Sequence, residues 1–389
     1  NVFASAQHIN RDSYYGGGQD PNAYGNTTDL NWMAGSQYVY SFGKCIFMPA
    51  DLTAGIEFNQ DKLEDNMWGY HRTVDQKVNI GSAFFQNEWK NEHWGFLIGG
   101  RLDKHNLIDH VIFSPRANLR YNPTENINLR FSYSSGFRAP QAFDEDLHVE
   151  NVGGNVAMVE LADNLKEERS QSLSVSADIY HRFGAFQVNF LVEGFYTKLS
   201  DVFALTDGEI VDGILTRTRY NAPGARVMGL TLEGKMAYLT KFQLQAGITL
   251  QQSHYSEPHV WNKEAPAVKK MMRTPNTYGY FTATYTPIKP LSIALSGTYT
   301  GSMLVPHEPV PGFLEKPITV NTKDFFDIGL KAAYDFKLYK SMNLQVNAGV
   351  QNIFNAYQND FDKGADRDSG YIYGPSLPRS FFAGVKISY

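Results

Sequence analysis

Apolar and polar residues alternate along most of this chain, and that alternation limits its fold more than any other feature. Phe242, Leu244, Ala246, Ile248 and Leu250 are separated by Gln243, Gln245, Gly247, Thr249 and Gln251. Leu344, Val346, Ala348 and Val350 are separated by Gln345, Asn347 and Gly349. The same pattern fills 127–133, 173–179, 291–299 and 326–332. The final segment sets Phe381, Ala383, Val385, Ile387 and the terminal Tyr389 in one row, with Ser380, Gly384, Lys386 and Ser388 mostly in the other. A period of two places successive side chains on opposite faces of an extended strand, so these segments are predicted strands of about ten residues. Their polar faces suit either bulk water around a β-sandwich or the wet interior of a membrane barrel.

The connections separate these two folds. Short ones at 121–126, 182–185, 238–241, 286–290 and 338–341 alternate with long polar ones near 11–29, 61–77, 138–169, 256–275, 304–323 and 358–378. Short turns on one side and long loops on the other characterise outer-membrane barrels, whereas a sandwich has no reason to keep that order. The prediction is an all-β fold: a transmembrane antiparallel β-barrel region over 1–389, with about sixteen strands, starting and finishing on the short-turn side.

Composition agrees. Mean hydropathy is −0.36, and no run of about 18 apolar residues exists, which excludes a helical membrane protein. Aromatic residues make up 14% of the chain, as interfacial girdles require. A net charge of −5 argues against a nucleic-acid partner. The single cysteine, Cys45, lies in a predicted turn and excludes an intrachain disulfide or a Cys-x-x-Cys zinc site. The first residues show neither a charged n-region nor an apolar h-region, so the chain reads as a mature or trimmed product.

Local motifs then resemble those of the TonB-dependent outer-membrane receptors of Gram-negative bacteria. The run 131–140, with Ser134-Ser135-Gly136-Phe137-Arg138-Ala139-Pro140, is similar to a strand end of that family. So are 221–233, with Asn221, Ala225, Arg226, Gly229 and Glu233; Arg273-Thr274-Pro275; Asn352-Ile353-Phe354-Asn355; and the terminal strand preceded by Pro378-Arg379. The resemblance implies a barrel of about twenty-two strands filled by an N-terminal plug. Neither a plug nor a TonB-box segment is recognisable here, so the chain matches the later part of such a barrel. A sixteen-strand sheet in lipid would leave two unpaired edges, so other strands must pair with them or the chain must close on itself.

The implied function is energised uptake of a scarce nutrient, in the order ferric siderophore, cobalamin-type corrinoid, haem. The implied partners are outer-membrane lipid, the plug and first strands, the TonB complex, a surface lipoprotein and the small-molecule ligand. A passive sixteen-strand porin and a surface β-sandwich binding protein are the rival expectations.

No catalytic motif is present, so no enzymatic activity is expected. Candidate ligand contacts fall in the long loops. Asp144, Glu145, Asp146 and His148 form one polar cluster. His254, His259, Trp261 and Met271 combine imidazole, indole and thioether groups suited to a flat or chelated ligand. Asp360, Asp362, Asp366 and Asp368 alternate around glycines as calcium ligands could, although Lys363 and Arg367 offer them ionic partners instead. Calcium is the one cofactor considered. Arg116, Asn118, Arg120, Arg130, Gln243, Gln245, Gln345 and Asn347 are expected to line the interior.

Overall fold

The computed structural model describes all residues except 15–23, 71, 141–155, 212–213, 339–340, 365–366, 369 and 376. The alternating segments form β1 (Val2–Tyr14), β2 (Tyr24–Cys45), β3 (Met48–Met67), β4 (Arg72–Lys90), β5 (Trp94–His105), β6 (Ile112–Thr124), β7 (Ile127–Arg138), β9 (Glu168–Phe183) and β10 (Phe186–Ser200). They continue as β13 (Ala225–Tyr238), β14 (Phe242–His259), β16 (Thr277–Ile288), β17 (Leu291–Thr300), β20 (Phe325–Lys337), β21 (Asn343–Gln351) and β22 (Ser380–Ser388). With the three-residue β15 (Val268–Lys270) they make one 17-stranded sheet. Each long strand pairs antiparallel with the next, in chain order. Among the described residues, β1 pairs only with β2 and β22 only with β21, so the sheet has two open edges.

From β10 to β22 the register keeps the apolar rows of the long strands on one face. Phe381 lies opposite Val350, which lies opposite Leu330, and that residue faces Leu295 and then Ala283. From Ala283 the row continues through Leu244 and Met236 to Val188. A one-residue slip anywhere would throw one strand's polar row into this wall, so the shared hydrophobic face fixes the register. Arg116, Asn118, Arg120, Arg130, Gln243, Gln245, Gln345 and Asn347 all fall on the opposite, inner face, as expected. Inner-face groups bond to one another: Arg101 donates to Glu57, Ser82 and Asp103, and Gln245 and Tyr280 meet at Glu233.

Aromatic side chains crowd the short-turn ends. Tyr40 packs on Phe42, Phe47 on Trp89 and Phe96, Trp94 on Tyr121, Phe186 on Tyr238, and Tyr334 on Phe336. All of them flank the turns, where an amphipathic ring meets the membrane–water interface. The turns themselves are tight. Gly184, between β9 and β10, has φ +57, a conformation that side-chain-bearing residues adopt at a cost. Cys45 ends β2 beside a two-residue turn and is a free thiol.

The long-loop side differs from expectation in two places. The connections near 11–29 and 61–77 are mostly strand: β1 to β4 continue past the belt, and β3 passes to β4 through one turn at Trp68–Tyr70. Leu63, Asp65, Met67, Val74 and Val78 are buried there, and Thr27 donates to Asp65, so tertiary burial extends strands that looked too polar to persist. The second difference is β8 (Val156–Leu161), β11 (Val202–Val211) and β12 (Ile214–Ala222), a separate three-stranded sheet in which β8 runs parallel to β12. The predicted strand at 221–233 therefore starts at Ala225, after Gly224, where an added Cβ would collide with the Leu199 carbonyl oxygen. A further hairpin joins β18 (Leu304–His307) to β19 (Ile318–Asn321).

Two substitutions on β14 separate the faces. Ile248→Arg, midway along the apolar row, is expected to cost about 2–4 kcal/mol of barrel stability, while Gln243→Arg on the inner face costs little. Urea titration of the heat-modifiable folded band in bilayers measures both.

Candidate functional site

The long-loop rim is the candidate site, and the residues that build it also tie its loops to the wall. Arg138, the last residue of β7, lies in register with Glu168, the first of β9, and donates to its Oε2 at 3.3 Å. The same oxygen accepts the Phe203 N–H at 3.0 Å, and the Phe203 ring lies 4.7 Å beneath the Arg138 guanidinium. Beside them Glu167 is buried and contacts Arg169 at 2.7 Å and His110 at 3.0 Å. Burial alone would push this carboxyl up, but its own backbone amide, Arg169 and His110 outweigh that and hold it below its ordinary value.

Asn221 joins two loops. Its Nδ2 donates to the carbonyls of Asp201 and Lys166, and its Oδ1 accepts the Lys166 N–H at 2.7 Å. Arg273, at φ +56, reaches the last long loop and donates to the carbonyls of Ile372 and Gly370 at 2.8 and 2.5 Å. Asn352 is 2% exposed, with φ +50; it donates to the Ala356 and Leu377 carbonyls and accepts the Ala356 N–H. Asparagine tolerates this left-handed conformation, and its short amide reaches nearby backbone. Four residues picked out by sequence motif are thus loop anchors.

The acidic run of the last loop folds onto the β18–β19 hairpin. His307 and Asp362 are both buried and meet at 2.9 Å, and Tyr371 stacks on the imidazole at 3.8 Å. Asp362 also accepts the Asp368 N–H, while Asp368 accepts the amides of Glu308 and Gly370. Asp360 accepts both Tyr371 and Tyr373 hydroxyls. Burial and the Asp360 carboxylate push the Tyr373 phenol far up. Asp366 lies outside the described residues. Arg367 donates to the Gly364 carbonyl, and among the described residues it has no carboxylate partner. The run therefore takes His307 and the Glu308 amide from a different loop and its other partners from residues 368–373 of its own loop, a mixture that sequence spacing could not reveal. Among the described residues, no three His, Cys, Asp or Glu side chains converge as a metal-binding group.

The other candidates are placed as follows. His254 lies on the outer face of β14, opposite Arg226 and Lys270. The Met271 N–H donates to the Ser253 carbonyl. His259 packs on Tyr255 at 4.7 Å, and burial lowers its pKa. Trp261 holds a buried indole N–H that has no hydrogen-bond partner among the described residues. Asp144, Glu145, Asp146 and His148 lie outside the described residues. Sequence reasoning missed His307, Tyr371 and Tyr373, whose roles depend on how the last loop folds back on itself and onto the β18–β19 hairpin.

With the rim, belt and wall in view, comparison with known proteins is direct. Residues 2–353 match the family described as TonB dependent receptor-like, beta-barrel. The chain belongs to this family. No curated protein matches it by sequence. Similar solved structures include a point mutant of the ferric enterobactin receptor PfeA of Pseudomonas aeruginosa (18% identity, TM-score 0.70, covering 99% of this chain and 58% of that one). Others are the FrpB iron transporter of Neisseria meningitidis (16%, 0.68, 99% and 59%) and the siderophore receptor PirA of Acinetobacter baumannii (16%, 0.66, 93% and 55%). At these identities the likeness concerns the fold, and the chain spans somewhat more than half the length of each relative.

Arg273→Ala is expected to cost about 2–3 kcal/mol locally, since two carbonyls lose a charged donor. Faster amide hydrogen exchange confined to 368–373 is the readout. Two shifted groups of the rim, His259 and Glu167, act in one direction with pH. His259 is held neutral and Glu167 ionised, so the stability each contributes is present above its unfolded value, 6.5 and 4.5, and lost as pH falls through the lower folded value. Acidification should speed exchange first around 253–260, then around 165–170. His259→Phe removes the first step and Glu167→Gln the second.

Proposed function

We propose that this chain is the later, sixteen-strand part of an outer-membrane receptor that captures a ferric siderophore and imports it with TonB-coupled energy. The observation that carries this reading is the polarity of the sheet. An apolar outer wall with an aromatic girdle at the short-turn end is joined to a folded, densely hydrogen-bonded rim at the other. Such a wall suits lipid, and such a rim suits capture of a ligand from outside.

The inner face supports a partner inside the barrel. The Arg101–Glu57–Ser82–Asp103 network and the Glu233–Lys235–Gln245–Tyr280 network are ordered polar surfaces in a space that a plug would fill. The open edges of β1 and β22 support closure by further strands of the same receptor, because unpaired backbone groups in hydrocarbon cost several kcal/mol each. PirA is described as a siderophore receptor, and PfeA has been solved in complex with enterobactin; both favour a siderophore over a corrinoid or haem as cargo here.

Growth of a deletion strain on single ferric siderophores as the sole iron source tests the reading. Loss of growth on one siderophore, restored by the intact gene only when the TonB complex is functional, is the expected result. Restoration without that complex, together with steady ion conductance in planar bilayers, would show a passive channel instead.

A further inference from the structure

Charge is spread unevenly over the inner wall. Arg116 and Arg120 of β6 and Arg130 and Arg138 of β7 all fall on the inner face: Arg120 lies directly opposite Arg130, Arg116 opposite Ser134, and Arg138 opposite Glu168 of β9. Arg116 stands about 14 Å along its strand from Arg120, and Arg138 about 27 Å along its strand from Arg130, so guanidinium groups recur from the short-turn end to the rim. The inner faces of β6 and β7 carry no carboxylate. On the neighbouring β9, Glu168 is held by Arg138 and the Phe203 amide, and Asp178 by Asn189 and Tyr180. Arg130 donates to Asn128 at 2.7 Å, and Arg120 to the Asn91 carbonyl at 3.1 Å. Among the described residues, neither has a carboxylate partner, and Arg116 has no ion pair or side-chain hydrogen bond. Like charges directly opposed on a sheet, as at Arg120 and Arg130, repel unless an anion lies near them.

Between the arginines the wall is made of small side chains. Ser132 lies opposite Ser174, Ser134 opposite Ser172, Gly136 opposite Ser170, and Arg130 opposite Ser176. In the sequence this is serine at every second position from 170 to 176. Elsewhere the inner wall carries longer polar groups, such as Gln243, Gln245, Lys331 and Gln345. Serine and glycine keep this strip recessed. Beside it a hollow of about 490 Å³ is lined by Phe84, Arg101, Ser114, Arg116 and Ser134, among others. The Arg120 side chain passes over Gly95 of β5, where an added Cβ would stand 3.2 Å from its Nε. A domain that fills the barrel leaves most room where the side chains of the wall are shortest.

We propose that this strip of inner wall, from Arg138 down to Arg120 and Arg130, is the passage for the cargo, and that the cargo is a polyanionic ferric chelate rather than an uncharged one. The inference rests on the receptor reading given above and narrows it. A negatively charged chelate exchanges water for guanidinium donors at Arg138, then at Arg116, then at the Arg120–Arg130 pair, through charge-assisted hydrogen bonds. Serine hydroxyls solvate it between these steps without narrowing the path. Charge of one sign along a groove with low-dielectric walls concentrates ions of the other sign there. An uncharged chelate gains nothing from the arginines. The self-paired networks at Arg101 and at Glu233 suit a resting contact with a plug. A strip without carboxylates over most of its height suits an anion that moves.

The test uses the full receptor in its own deletion strain, supplied with radioactive iron as a tris-catecholate, a polycarboxylate or an uncharged tris-hydroxamate chelate. Uptake of a negatively charged chelate is the expected result. Uptake of the uncharged chelate alone overturns this proposal and leaves the receptor reading standing; uptake of none overturns both. The double variant Arg116→Ser, Arg130→Ser is expected to lower the maximal uptake rate of the anionic chelate at least about tenfold. Its binding to whole cells in the cold should stay unchanged, because the rim still captures it. Arg116→Lys with Arg130→Lys keeps the charge and should keep most of the uptake. Ser174→Leu, which narrows the passage without changing charge, should slow uptake as well. Lys331→Ser, on the inner face of β20 and away from the strip, should leave uptake as in the wild type; an equal loss there would overturn the route. Heat-modifiable migration confirms folding of each variant. Unchanged uptake by a folded double serine variant overturns the passage, and steady ion conductance of that variant in planar bilayers would then show that these arginines hold a plug instead.

Discussion

Backbone pairing between neighbouring strands is the constraint on which everything else in this molecule depends. In hydrocarbon no water is available to satisfy an amide or carbonyl, so each strand must find its partners in the strand beside it. Strict pairing in chain order does this for all but the two outer edges. The same pairing, held in register, puts the apolar rows of the belt outside and their polar rows inside. The belt, the girdle and the hydrated interior therefore follow from one geometric rule together with the period-two sequence.

The rim obeys a different logic. Where strands leave the wall, the chain can no longer rely on ladder hydrogen bonds, and side chains take over. Arg138, Asn221, Arg273 and Asn352 each bind groups at the base of the long loops or within them, three of them directly to backbone carbonyls, and two of the four adopt positive φ. Above them, His307, Tyr371 and Tyr373 hold the carboxylates of the last loop. A receptor needs a mouth that is polar enough to meet a soluble ligand and ordered enough to keep its shape. Anchors at the base and a buried polar knot above provide both.

Much of this was legible in the sequence, for identifiable reasons. Alternation at 242–250 or 344–350 reads directly as a two-faced strand, because side-chain direction in a strand depends only on parity. Inner-wall residues such as Arg116 and Gln345 were placed for the same reason. The motif residues were recognisable as a family pattern, but their role as anchors was not, since Glu168 and Ile372 lie 30 and 99 residues away from their arginines. The extension of β1 to β4 was hidden because polar Thr27 and Asp65 are buried against each other, and a polar segment reads as a loop until its partner is known. The acidic run at 360–368 suggested a cation, since its nearest cations in sequence gave no hint of His307.

The sequence by itself determined the all-β class, the inside and outside of each strand, the order of short and long connections, and the family. Those properties are local: they depend on residue parity, turn chemistry and short motifs. Tertiary structure alone decided which loops meet at the rim, which carboxylates are already bonded within the protein, and that the serines of β9 lie beside the arginines of β7. These depend on register between strands separated by many residues, and register is set by the whole packed face rather than by any one segment.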